Sequence, residues 1–159
     1  FHKIRRYKKK FTLIDESYNA SPFSVKNAIL KLSKINSRNS KKYLFLGDML
    51  ELGQHSKKQH KLISKVVNKT KINQVYVIGK YIKETFKGLN KNKRGKILNN
   101  NLKILDLISN ELKDNDYLMI KGSNSTGLHK ITKDLKRGYS NAIWITSQLR
   151  WHFYIFKCF

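Results

Sequence analysis

The sequence has 159 residues, with 34 Lys and Arg against 10 Asp and Glu, a formal charge of +24. It is long enough for one domain with an ordinary core, and 40% hydrophobic residues in runs at secondary-structure spacing exclude wholesale disorder. No apolar run approaches the roughly 20 residues that a bilayer-crossing helix needs, and the single cysteine, Cys158, cannot close an intrachain disulfide, which fits a reducing, cytoplasmic setting.

The chain opens at Phe1 rather than Met and is expected to be a piece of a longer protein. Lys3, Arg5, Arg6, Lys8, Lys9 and Lys10 make the densest basic cluster, ahead of the first strand. Phe11 to Ile14 reads as a first strand. Ser21 is placed to cap a helix with Pro22 at its first position, and Val25, Ala28, Ile29 and Leu32 fall at i, i+3, i+4, i+7, predicting an amphipathic helix to about Ile35. Tyr43 to Leu46 reads as a buried strand ending at Gly47. A helix carrying His60, Ile63 and Val67 follows, then a strand over Val75 to Ile78 and a short helix over Tyr81 to Phe86. Residues 87–101 carry little pattern beyond a hint of strand at Ile97-Leu98. Leu105, Ile108 and Leu112, backed by Ile104, predict a helix, Tyr117 to Ile120 a last strand, and Leu128, Ile131 and Leu135 a last helical stripe. Alternating strands and helices of this kind predict an α/β fold, an open, mostly parallel Rossmann-like sheet with helices on both faces. The domain is expected over 11–137. Residues 138–159, which hold Trp144 and Trp151 and no acid, read as an aromatic basic tail, loosely packed, with a membrane-surface helix as the other reading.

A charge of this size points to a polyanion, because clustered cations release counterions on meeting phosphate. The composition supplies another cause. There are 28 Lys but 6 Arg, with 16 Ile and 15 Asn against 3 Ala and 1 Pro, the signature of A/T-rich codons. The lysines are spread along the chain, so no specific nucleic acid is expected. A stand-alone basic α/β module that binds nucleic acid or a small ligand is the alternative function.

Ligands of open α/β sheets bind outside the carboxyl ends of the strands, where loops converge and free amides are presented. Three polar segments occupy such places: Asp15 to Pro22, Gly47 to Gly53, and Lys121 to Gly127. Lys121 brings a cation to accessible backbone amides, and Tyr18 and Asn19 offer a ring face and an amide to a nucleoside; equally, Asp15 and Asn19 could order a turn and Gly122 permit a tight one. No G-x-x-x-x-G-K-[ST] phosphate loop, G-x-G-x-x-G fingerprint or G-x-S-x-G elbow occurs. His55 and His60 are five apart, so no H-E-x-x-H metal pair forms, His60 reads as a packing histidine, and no metal site is expected. No catalytic residue is assigned.

At these three loops the chain resembles the C-terminal domain of Mur ligases of the MurF type. Leu13 to Pro22 is similar to that family's DDSYNANP stretch, Gly47 to Gly53 to its GDMLELG segment with His60 at its downstream histidine, and Lys121-Gly122-Ser123 to its KGS loop; the resemblance covers about residues 11 to 136. Glu16 and Ser21 depart mildly from the pattern, and Asn124 stands where many relatives have Arg.

The resemblance implies a three-domain cytoplasmic ligase of peptidoglycan synthesis. It joins D-Ala-D-Ala to a UDP-MurNAc-tripeptide through an acyl-phosphate, using ATP and magnesium, and its C-terminal domain swings closed over ATP held by the central domain. By position, Asp15, Tyr18 and Asn19 are expected at the nucleotide edge, and Asp48, Lys121, Ser123 and Asn124 toward the dipeptide. The basic segment 1–10 is expected, from the resemblance, to be a remnant of the linker leaving the central domain. The UDP-binding domain, the central phosphate loop and the magnesium ligands have no counterpart in this sequence. It is therefore expected to act as a closing lid, without catalysing ligation alone.

Overall fold

Residues alternating in and out of a pleated strand present two apolar faces when helices cover both sides, and every central strand here obeys that rule. A computed structural model describes residues 1–36 and 39–137; the expected tail over 138–159 lies outside the described residues. The elements are β1 (His2–Arg6), β2 (Lys9–Glu16), α1 (Pro22–Lys34), β3 (Lys42–Gly47), α2 (Ser56–Asn68), β4 (Gln74–Ile78), α3 (Lys83–Lys87), β5 (Arg94–Leu98), α4 (Lys103–Asn110), β6 (Tyr117–Lys121) and α5 (Leu128–Lys136). They form a six-stranded sheet of order β1-β2-β6-β3-β4-β5. All pairings are parallel except β1 with β2, which is the mostly parallel α/β sheet expected.

Ile14, Leu44, Leu46, Val75, Val77 and Met119 face one layer, which α1 fills with Val25, Ile29 and Leu32 and α2 with Ile63 and Val67. Their chain neighbours Leu13, Phe45, Tyr76, Leu118 and Ile120 face the other, filled by Ile104 and Ile108 of α4 and by Leu128, Ile131 and Leu135 of α5. Each fully buried Leu or Phe contributes about 2 kcal/mol of transfer free energy. Helix α1 starts as its residues predict: the Ser21 hydroxyl accepts from the Ser24 amide (3.1 Å) and the Ser24 hydroxyl from the Ser21 amide (2.9 Å), with Pro22 at the first turn.

Residues 1–10, expected as a basic linker remnant, hold β1, a turn and the first residues of β2, which together make the edge hairpin of the sheet. His2–Arg6 pairs antiparallel with β2, Ile4 is buried against Phe11, and Tyr7 and Lys8 make a two-residue turn at φ 52° and 60°. That turn carries none of the Asn-Gly chemistry by which such hairpins announce themselves. Residues 87–101, almost patternless in the sequence, contain β5. It is an edge strand, pairing only with β4, and its Gly95 lies against the Tyr76 ring, where an added Cβ would come within 2.6 Å. On and just after α4, Ile104, Ile108 and Leu112 are buried as expected, Leu107 joins them, and Leu105 is only half-covered.

Among the described residues three lysines are buried, and each donates to a pair of backbone carbonyls. Lys42 Nζ reaches Ser33 O (2.8 Å) and Ile35 O (2.6 Å) at the end of α1, and Lys93 Nζ reaches Thr70 O (2.7 Å) and Ile72 O (2.8 Å). Lys121 is the third. Burial pushes all three ammonium groups below their ordinary value.

Candidate functional site

Because β6 inserts between β2 and β3, the helices that follow β2 and β6 leave on opposite faces of the sheet: α1 packs into one apolar layer and α5 into the other. Diverging connections of this kind open a crevice at the carboxyl edge. The cleft there has a volume of about 500 Å³ and brings together Asp15, Tyr18, Asn19 and Lys121, four of the residues singled out in the sequence.

Asp15 is the best-anchored group in it. Its carboxylate accepts from Lys136 Nζ (2.5 Å) and from the amide (3.1 Å) and hydroxyl (2.6 Å) of Ser17, whose oxygen lies 3.0 Å from Thr132 Oγ1. Burial raises its pKa, but these hydrogen bonds outweigh burial and hold the carboxyl at about 2. Lys121 Nζ donates to Asn19 O (2.5 Å) and, at the limit of reach, to Glu16 O (3.5 Å), so a buried cation fixes the path of the loop after β2. Burial lowers its pKa, and the Glu16 charge pulls the other way. Tyr18, held by this loop, stands 77% exposed on the rim. The cleft therefore offers an aromatic face, the exposed Asn19 side chain and ammonium groups, a set suited to an anionic ligand carrying a flat ring.

The second expected group is built differently. The Asp48 carboxylate accepts three backbone N–H groups from the loop after β4: Lys80 (2.8 Å), Tyr81 (3.0 Å) and Ile82 (2.7 Å). Gly79 passes so close that a Cβ there would meet that carboxylate at 2.5 Å, and its φ of +135° already favours glycine. The Asp48 carbonyl accepts from the Ser123 amide (3.1 Å), and the Ser123 hydroxyl accepts from the Leu50 amide (3.0 Å). His60, fully buried, accepts the Met49 N–H at Nε2 (3.0 Å) and, in the tautomer this requires, donates from Nδ1 to Ser56 O (2.7 Å). Burial pushes its pKa down, against the Ser56 carbonyl and Asp48 at 3.8 Å, which both pull it up. Gly47 and Gly122 approach so closely that a Cβ on Gly122 would lie 3.2 Å from the Gly47 Cα. These contacts tie the loops after β3, β4 and β6 into one junction. Asn124 is exposed on the turn beyond it, its carbonyl 3.1 Å from His129 Nδ1.

The sequence reading missed the far wall of the cleft: His129, Thr132, Lys133 and Lys136 of α5. They lie at i, i+3, i+4, i+7, one position along from the apolar stripe Leu128, Ile131 and Leu135, so the periodicity that located the helix also contained its polar face. Among the described residues, no group of three or more His, Cys, Asp or Glu is placed to hold a metal ion, and the carboxylates of Asp15 and Asp48 are already engaged. With those carboxylates held by Lys136, Ser17 and backbone amides, these residues do not fit a magnesium site.

The family model described as Mur ligase, glutamate ligase domain, matches residues 1–124. Over 125 residues the chain is 34% identical to the UDP-N-acetylmuramoyl-tripeptide--D-alanyl-D-alanine ligase of Buchnera aphidicola subsp. Acyrthosiphon pisum, covering 77% of this chain and 26% of that protein. It is 33% identical over 127 residues to the Bacillus subtilis ligase of the same name, covering 78% of this chain and 28% of that one. Among solved structures, the MurF ligase of Thermotoga maritima in complex with ADP shares the fold at a TM-score of 0.66 and 24% identity, covering 84% of this chain and 30% of that chain. The chain thus spans about a quarter of the length of the curated relatives it matches.

Proposed function

The chain belongs to the Mur ligase family as a C-terminal domain of the MurF type, and from that premise we propose that it serves as the closing lid of a ligase that adds D-alanyl-D-alanine to a UDP-linked muramoyl tripeptide with ATP. The observation that carries this reading is the cleft between β2 and β6. It collects Asp15, Tyr18, Asn19 and Lys121 from two of the family's three loops, with Lys133 and Lys136 opposite.

In this reading Tyr18 and Asn19 meet the nucleotide, and Asp15, locked by Lys136 and Ser17, sets the loop that carries them. Lys121 serves the dipeptide side by holding the β2 loop through Asn19 O and by its charge. Asp48 and Ser123 act by positioning the three loops, with exposed Asn124 next to the incoming substrate. In this reading magnesium, the muramoyl substrate and the phosphate chemistry belong to the other two domains of such a ligase, and this domain meets ATP only at the nucleotide edge.

The reading is tested by grafting residues 1–137 in place of the corresponding domain of the Bacillus subtilis ligase and measuring D-Ala-D-Ala addition. The expected result is an active chimera in which Tyr18→Ala raises the KM for ATP about tenfold, the loss of one stacked aromatic contact. A folded chimera without activity, or one indifferent to Tyr18→Ala, contradicts the assignment.

A further inference from the structure

Helices α1 and α2 lie side by side on one face of the sheet, and neither contains an Asp, a Glu or an Arg, while together they carry seven lysines. Phe23, Lys26, Leu30 and Lys34 follow one another along the outer crest of α1 at i, i+3, i+7 and i+11, and Lys58, Leu62 and Lys65 along that of α2 at i, i+4 and i+7. Apolar tips therefore alternate with cations on both crests. Phe23 is 75% exposed and Leu62 40%. The two line a groove of about 400 Å³ between the helices together with Lys26 and Lys65. Lys31 pairs with Glu16 at 3.5 Å, but Lys26, Lys34, Lys58 and Lys65 have no carboxylate partner among the described residues.

We propose that this α1–α2 face docks on the surface of an anionic phospholipid bilayer, Phe23 and Leu62 entering the boundary between headgroups and acyl chains while the lysines around them meet lipid phosphates. The charge is complementary along the whole face, and lysine stems that flank an apolar tip can lie along the membrane while their ammonium groups stay at headgroup level. A nucleic acid would satisfy the lysines equally well. It would leave the aliphatic tips Leu30 and Leu62 without a partner, and the face has no arginine to read bases or stack on them. The proposal does not use the cleft between β2 and β6.

The test is co-sedimentation of the full chain with vesicles of phosphatidylglycerol mixed equally with phosphatidylcholine, against phosphatidylcholine alone. Binding only to the anionic vesicles is expected. Replacing Lys26, Lys58 and Lys65 together by Gln weakens it about a hundredfold, at about fivefold per lysine. The same replacement at the exposed Lys91, Lys113 and Lys130 does so far less. Phe23→Ser with Leu62→Ser weakens binding about tenfold at low and at high salt alike, and so removes the part of the binding that screening leaves; Phe23→Ser alone serves if the double variant does not fold. Equal losses from the two lysine sets mean general lysine excess and overturn the proposal. So does binding that disappears with Trp144→Ser and Trp151→Ser but survives the α1–α2 changes, or retention by single-stranded RNA with none by vesicles.

Discussion

At the carboxyl edge of the sheet, the cleft between β2 and β6 and the junction of the loops after β3, β4 and β6 are built from the same residue types and use them in opposite ways. In the junction the buried side chains are spent on backbone: Asp48 on three amides, His60 on an amide and a carbonyl, and half-buried Ser123 on the Leu50 amide. In the cleft only part of the set is spent. Asp15 and Lys121 order the loop, and Tyr18 and Asn19 are left facing solvent. A carboxylate after a strand is therefore no guide to ligand contact until its acceptors have been counted. Removing a spent group costs stability, whereas removing a free one costs affinity.

The largest effect that separates the two regions is expected at Asp48. Asp48→Ala leaves the amides of Lys80, Tyr81 and Ile82 without an acceptor, at least one of them buried, and is expected to cost about 3 kcal/mol and lower Tm by about 10 °C. A thermal melt checks it, and a loss under 1 kcal/mol would mean the junction is not what holds these loops.

Next is the acid limb at Asp15. Its folded pKa of about 2 lies below the model-peptide 3.8, so on acidification the unfolded chain binds the proton first. The contribution, about 2 kcal/mol, is complete above the unfolded value and is lost as the pH falls through about 2. Urea melts between pH 5 and 2 should show this slope, and Lys136→Met, which removes the closest partner at 2.5 Å, should flatten it.

A smaller change is expected at the β1–β2 turn, away from both regions. Tyr7 and Lys8 hold positive φ without being glycine, so Tyr7→Asn with Lys8→Gly should stabilise the chain by about 1 kcal/mol in the same melts. The smallest stability effect belongs to the cleft's free rim. Tyr18→Ala, at a side chain 77% exposed, should move stability by less than about 0.5 kcal/mol while weakening nucleotide binding.

The same contrast explains what could be read in advance. The central strands and α1, α2 and α5 were legible because their buried positions follow strict periods, Val25, Ala28, Ile29 and Leu32 among them. The edges were not. β1 pairs on one side only, through a turn without turn residues, and β5 carries a single apolar pair and a glycine placed by Tyr76. Lysine concealed the most. In a chain with 28 of them, nothing local distinguishes Lys42, Lys93 and Lys121, which are buried on carbonyls, from the rest. The cleft was half legible, since the loop after β2 announces itself while Lys133 and Lys136 reach Asp15 and Tyr18 only through the return of α5 from the far side of β6.

The most direct test is an amide chemical-shift map of the chain titrated with ATP. The expected result is movement at Ser17, Tyr18, Asn19, Lys121, Lys133 and Lys136, with Asp48, Met49, Leu50 and the amides of Lys80 to Ile82 still. Shifts centred on Asp48 and Lys80 to Ile82, with Tyr18 and Asn19 unmoved, would contradict the division between a binding cleft and a structural junction.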